Sequence, residues 1–268
     1  HHTYVRDLER REEAGTPGII GDIRAGAVMA LKEAVGSAEI EAREHAIMSK
    51  TFARLSDDPG IDILGPKGAE RIGVLSFNIS CDGQDLHYGF VVALLNDLFG
   101  IQARGGCSCA GPYAHELLEI SNQSATRFED IISKGQSLMR PGWVRLGFNY
   151  FFDEPTIDYI LSAILFISEN GLRFMADYDV DVSHGLWRHK TGVIEAPASL
   201  KDFWLHNSEA PQAEFKQLST FLNAARDLAT TRDVPIMKYD VMNDPERDAL
   251  RGFWMPQDMK KTHPIPTA

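Results

Sequence analysis

An α/β fold, with helices packed on a sheet, is predicted from three observations. Residues 61–170 alternate short β-type runs with helical runs in the order β-β-α-β-α-β-α. Two long stretches before them carry apolar residues at spacings of three and four, the helix period. Of the 268 residues, 44% are hydrophobic and 24% charged, an ordinary balance for a globular chain with a sizeable core.

The elements follow in order. Residues 1–15 are polar and charged and read as a solvated segment. Gly15-Thr16-Pro17-Gly18 is a turn with a helix-start signal, in which Thr16 is expected to cap and Pro17 to take the first helical position. The first long helix is predicted over Ile19–Val35, with Ile20, Ile23, Ala27, Leu31 and Ala34 on its apolar side, and Gly36 ends it. A second is predicted over residues 38–55 and stops at Asp57-Asp58-Pro59-Gly60. Strands are expected at 61–64 and 72–79, a helix at 86–99, a short strand at 101–104 and a helix at 112–120. Residues 121–137 read as a polar helical or irregular insertion. A strand at 143–150 and a helix at 154–168 complete the alternation.

Beyond that the pattern weakens. Residues 174–182 alternate apolar residues with Asp177, Asp179 and Asp181, as in an edge strand whose charges deter further pairing. An acidic metal site is the alternative, but alternation on a strand aims these carboxylates together at solvent. Residues 185–190 read as a turn and strand, and 213–229 as a helix. The last thirty or so residues, rich in Pro, Asp and Lys, are expected to form a tail packed on the surface.

Charge and cysteine usage narrow the function classes. A net charge of -11 without a compact Lys/Arg run argues against a nucleic-acid partner. Three cysteines argue against a disulfide framework and for a reducing, cytoplasmic setting. No apolar run approaches a membrane span; the longest, residues 157–167, is interrupted by Asp158, Tyr159 and Ser162.

The stretch most suggestive of chemistry is Arg104-Gly-Gly-Cys-Ser-Cys-Ala-Gly-Pro-Tyr113. Its glycines free the backbone to turn, and Cys109 falls just before a predicted helix start, where partial positive charge favours a thiolate. Cys109 is therefore a candidate nucleophile; equally, it is a small residue in a tight turn. Arg145 stands inside the apolar strand Trp143-Val-Arg-Leu-Gly-Phe-Asn-Tyr150, where it either faces water or binds an anion. The helix start after Thr16 offers either a plain cap or a phosphate contact. Zinc is disfavoured at Cys107-Ser-Cys109, because only Cys81 remains and no histidine pair follows at motif spacing. Two residues, not one, separate the cysteines of a redox pair.

The order of these features is more specific than any one of them. G-T-P-G at a helix start, the strand V-L-S-F-N, a helix, R-G-G-C-S-C-A-G-P, then the strand V-R-L-G-F-N-Y-F and a helix: over residues 4–168 this resembles the C-terminal part of class V aminotransferases, the family of cysteine desulfurases and selenocysteine lyases. The resemblance implies the small α/β domain of a fold type I pyridoxal-phosphate transferase. It divides the chain into the end of a large cofactor-binding domain (residues 1–37), the small domain (38–170) and a C-terminal extension (171–268). Arg104, Gly106, Cys109 and Ala110 match the group II desulfurase loop R-x-G-H-H-C-A. Cys109 would be the nucleophile that takes substrate sulfur as a persulfide. Arg104 and Arg145 would bind the carboxylate of a small amino-acid substrate, and Thr16 would contact the pyridoxal phosphate of a partner subunit in a homodimer. A sulfur-acceptor protein is a further implied partner.

Two departures from the family pattern bear on function. Cys107 and Ser108 replace the two histidines, which leaves desulfurase, lyase and aminotransferase chemistry open, the last two without use of Cys109. The lysine that holds the cofactor lies, in the family, upstream of the G-T-P element, and Lys67 falls too late in the order to be it. The chain opens on His1-His2, so it is expected to be the C-terminal part of a longer enzyme, inactive by itself. A non-catalytic α/β dimerisation module is the reading from another class.

Overall fold

The computed structural model describes residues 3–13, 15–66, 68–107, 111–192, 217–238 and 245–260. Its centre is a six-stranded sheet in the order β4-β5-β2-β3-β8, with β1 also paired to β2. The strands are β1 (Ile61–Ile63), β2 (Val74–Cys81), β3 (Gln84–Leu86), β4 (Arg104–Gly106), β5 (Trp143–Gly147) and β8 (Phe253–Trp254). Every pairing is antiparallel except β3 with β8. A separate hairpin joins β6 (Tyr178–Asp181) to β7 (Leu186–His189).

Period-two alternation gives the sheet two unlike faces. Leu75, Phe77 and Ile79 of β2, with Val144 and Leu146 of β5, are buried on one face. Helices α4 (Tyr88–Phe99) and α7 (Glu154–Asn170) cover it. The other face carries Ser76, Asn78 and Ser80 of β2, none of them fully buried. The capping residues are the ones the sequence offers. Asp153 accepts from the Thr156 N–H at the start of α7, and Gly100 takes the left-handed conformation that ends α4.

Three further helices complete this part of the chain. The short α1 (Leu8–Glu12) and the long α2 (Ile19–Val35) bury no residue, whereas α3 (Ser37–Leu55) buries Ile47, Met48, Thr51 and Leu55. Lys50 of α3 ion-pairs with Glu154 and Asp158 of α7. Between β4 and β5 lie α5 (Gly111–Leu117) and the amphipathic α6 (Asn122–Ser133); after the hairpin come α8 (Leu218–Thr230), packed on α4 and α7, and α9 (Pro245–Asp248).

Several expectations are corrected. Thr16 does not cap α2, nor is Pro17 its first residue. The helix starts at Ile19 with Gly18 as N-cap, because the Ile19 N–H already bonds to the Pro17 carbonyl at 2.8 Å. Leu86 ends a strand, Gln84–Leu86, rather than opening the helix expected at 86–99, which starts at Tyr88. Asp82 and Gly83, with φ of 52° and 78°, make the two-residue turn that hairpin geometry favours. The strand expected at 101–104 lies at Arg104–Gly106. Over its described residues, 245–260, the C-terminal segment is not a surface tail. β8 extends the sheet, and Arg247, Asp248, Arg251 and Asp258 are all buried. Arg251 makes a two-pronged ion pair with Asp258 at 2.5 and 2.9 Å, and the Trp254 indole donates to the Cys81 carbonyl at 2.7 Å.

Candidate functional site

The glycine-rich stretch folds as β4 because its neighbours exclude side chains. A Cβ on Gly105 would lie 2.8 Å from Cδ2 of Tyr88. A Cβ on Gly142 would lie 2.5 Å from the Gly106 Cα, and Gly106 itself sits at φ +107°. Tyr88, at the start of α4, donates its hydroxyl to the Arg140 carbonyl at 3.1 Å and so holds its ring against this backbone. The result is a short edge strand laid closely along β5.

That pairing fixes the arginines. Arg104 and Arg145 are direct cross-strand partners, and Ser76 of β2 is the partner of Arg145 on its other side. Opposed residues of antiparallel strands share a face, so the two guanidinium groups and the serine hydroxyl line up on the face away from the core. Arg104 is exposed and Arg145 half-buried. Among the described residues neither guanidinium has a hydrogen-bond or ion-pair partner. Like charges directly opposite are destabilising, whereas an anion bound between them removes the repulsion. Two planar forks side by side suit a carboxylate.

Cys109, with Ser108 and Ala110, lies outside the described residues, as does Lys67. Cys107 is half-buried and packs beside Leu64, Ala114 and Trp143. Thr16 is exposed, and its hydroxyl has no partner among the described residues. Of the acidic strand residues, Asp181 accepts from Ser183 and His184, and Asp177 pairs with Arg232 at 2.7 Å. Ser76 and Tyr88 were not singled out from sequence. Ser76 was findable as the polar residue of V-L-S-F-N. Nothing local marked Tyr88, since its role depends on the approach of β4.

A cavity of about 1350 Å³ lies between α4, the β6–β7 hairpin and α8. Its lining includes neither arginine.

Residues 1–158 match the family model described as aminotransferase class V. A probable cysteine desulfurase of Halalkalibacterium halodurans is 37% identical over 107 residues, covering 40% of this chain and 25% of that protein. The cysteine desulfurase of Cronobacter sakazakii is 36% identical over 102 residues, covering 38% and 23% respectively. Among solved structures, the apo cysteine desulfurase of Thermococcus onnurineus NA1 aligns with a TM-score of 0.46 at 28% identity, covering 59% of this chain and 33% of that one. The chain thus spans about a quarter of the length of these curated relatives.

Proposed function

The chain belongs to the class V aminotransferase family, and on that premise we propose that it forms the substrate-carboxylate side of a cysteine desulfurase-type site. The observation that carries this reading is the Arg104–Arg145 cross-strand pair, two guanidinium groups on one open face with no carboxylate partner among the described residues. Arg145 is the stiffer anchor, half-buried on a strand held on both sides. Arg104, on the edge strand, completes the clamp.

The residues present fit two edges of a pyridoxal-phosphate site. The arginine pair suits the carboxylate of an amino acid. The Thr16 hydroxyl, without a partner among the described residues and three positions before the first residue of α2, a helix start with no side-chain cap, suits a phosphate. Pyridoxal phosphate, when bound, supplies the electron sink for bond cleavage at the α- and β-carbons of the substrate. The lysine that would hold it is assigned, by the resemblance, to polypeptide preceding the G-T-P element. In the proposed reaction the Cys109 thiolate bonds to the substrate sulfur as the Cβ–S bond breaks. Free cysteine plus enzyme thiol become alanine plus enzyme persulfide, which balances without an external oxidant. A homodimer and a sulfur-acceptor protein belong to the same proposal.

The carboxylate clamp would serve an aminotransferase or lyase equally, and Cys107 and Ser108 stand where the family's histidines are. Cys109→Ala in the full-length parent separates these readings. Loss of sulfide and alanine release with cofactor absorbance retained supports the persulfide route; retained desulfuration overturns it. Arg145→Lys is expected to raise KM for cysteine at least tenfold, because an ammonium cannot reproduce the paired contact. An unchanged KM would remove the arginine pair from the substrate site.

A further inference from the structure

A second cavity, of about 230 Å³, is built from three separate parts of the chain. Asn78 and Asp85 come from β2 and β3 of the sheet, Phe128 and Met139 from the segment between β4 and β5, and Leu250 and Phe253 from the C-terminal segment. The Asp85 N–H bonds to the Gly252 carbonyl at 3.0 Å, which fixes the strand that carries the acid. Leu118, Ile120, Pro141 and Leu250 add apolar wall, and Arg140 and the His87 ring also line the space, neither of them among the groups that act on the Asp85 carboxyl. Two aromatic side chains, Tyr88 and Phe253, join Phe128 around the space.

Asp85 is the one acidic residue among the described residues of this lining. Its carboxyl is half-buried, and among the described residues no side chain or backbone N–H donates to it. Burial is the chief cause that raises its pKa to about 6, and the Asp62 carboxylate adds to the effect. An uncompensated carboxylate in such a place is costly unless a cation meets it. A divalent metal needs more hard oxygen ligands than one carboxylate and one carboxamide supply. No group of three or more metal-ligating residues occurs among the described residues. An organic ammonium group needs only the single carboxylate, and aromatic faces favour it further.

We propose that this cavity is a binding site for a small primary amine with an apolar body, its ammonium on Asp85 and its hydrocarbon against Phe128, Met139 and Phe253. Size sets the limit. A cavity of about 150 Å³ is known to hold benzene, so this one takes about nine non-hydrogen atoms. Its lining excludes Arg104 and Arg145, and the site stands independently of the desulfurase reading.

The test uses the whole 268-residue chain with two probes of equal shape, 2-phenylethylamine and its uncharged analogue 2-phenylethanol, followed by calorimetry or NMR titration. The amine is expected to bind about tenfold tighter than the alcohol, the margin of a charge-assisted over a neutral hydrogen bond. Asp85→Asn keeps the shape of the side chain and should abolish that margin, and Asp62→Asn should leave most of it. Equal binding of amine and alcohol to the unaltered chain would overturn the proposal. So would undiminished amine preference in Asp85→Asn, or no detectable binding of the amine.

Discussion

At the scale of single residues, two buried titratable groups pull stability in opposite directions over one pH window. His87 caps α4 from inside the core. Its Nδ1 accepts from the Gly89 N–H and the Trp187 indole at 3.0 Å each, so its Nε2 carries the proton shared with the Leu138 carbonyl at 3.1 Å. Burial is the main cause that lowers its pKa to about 4. The unfolded chain therefore binds a proton at His87 below about pH 6.5 that the folded chain refuses down to about 4, and stability falls on acidification through that range. Asp85 does the reverse. Its pKa is raised to about 6, so the folded chain binds the extra proton between roughly 4 and 6, and stability falls as pH rises through that range. The two slopes partly cancel in the native chain. Asp85→Asn should stabilise the protein at pH 7 and unmask a steeper loss between pH 6.5 and 4, read from urea midpoints at each pH. A variant no more stable at pH 7, with an unchanged slope, would show that the Asp85 carboxyl is solvated. Neither group was legible in sequence as more than an ordinary His or Asp, because each shift comes from burial that three distant segments create.

At the scale of elements, the helices were more legible than the strands, and the reasons are local. α2, α3, α4 and α7 carry long periodic runs, the first three stopped by Gly36, Asp57-Asp58-Pro59-Gly60 and Gly100 and the last opened at the Asp153 cap, so their spans could be read to within about two residues. β3 and β8 have three and two residues, too few for a period, and form only because the sheet offers them an edge. β3 did carry a signal in Asp82-Gly83, a hairpin dipeptide between β-type runs. β8 carried none, and its attachment depends on ion pairs that a sequence of Pro, Asp and Lys disguises as a tail. Two predictions belong here. Asp258→Ala leaves Arg251 buried without its two-pronged carboxylate partner and should cost roughly 3–5 kcal/mol in urea unfolding. A loss below about 1 kcal/mol, the range of surface pairs, would mean that β8 is peripheral to the fold. Gly142→Ala forces a Cβ onto the Gly106 backbone, a contact no rotamer relieves, and should destabilise by about 1–3 kcal/mol. The same change should displace Arg104 from Arg145, so any anion affinity of the pair should fall with it, whereas an exposed control such as Gly147→Ala should leave that affinity alone.

At the scale of the whole molecule, the feature that demands explanation is α2. Ile19, Ile20, Ile23, Val28, Met29 and Leu31 are each more than half exposed, and the helix buries no residue at all. Ile19, Ile20, Ile23 and Leu31 share one broad face, but Val28 and Met29 lie off it, so apolar surface runs most of the way round. A helix of that kind is stable only when enclosed. Pairing with α2 of a second copy would cover one stripe and leave the other wet. The division proposed from the family resemblance, with residues 1–37 belonging to a larger preceding domain, accounts for enclosure on all sides. The 268-residue chain alone should therefore bind a hydrophobic dye strongly and self-associate as its concentration rises. Replacing Ile20 and Leu31 by Glu should suppress both while leaving the α4 and α7 core folded, since neither residue touches it. In a parent of full length the amides of α2 should exchange slowly at every concentration. If they are protected only when two copies of the short chain associate, α2 is a dimer contact and the assignment of residues 1–37 to a preceding domain fails.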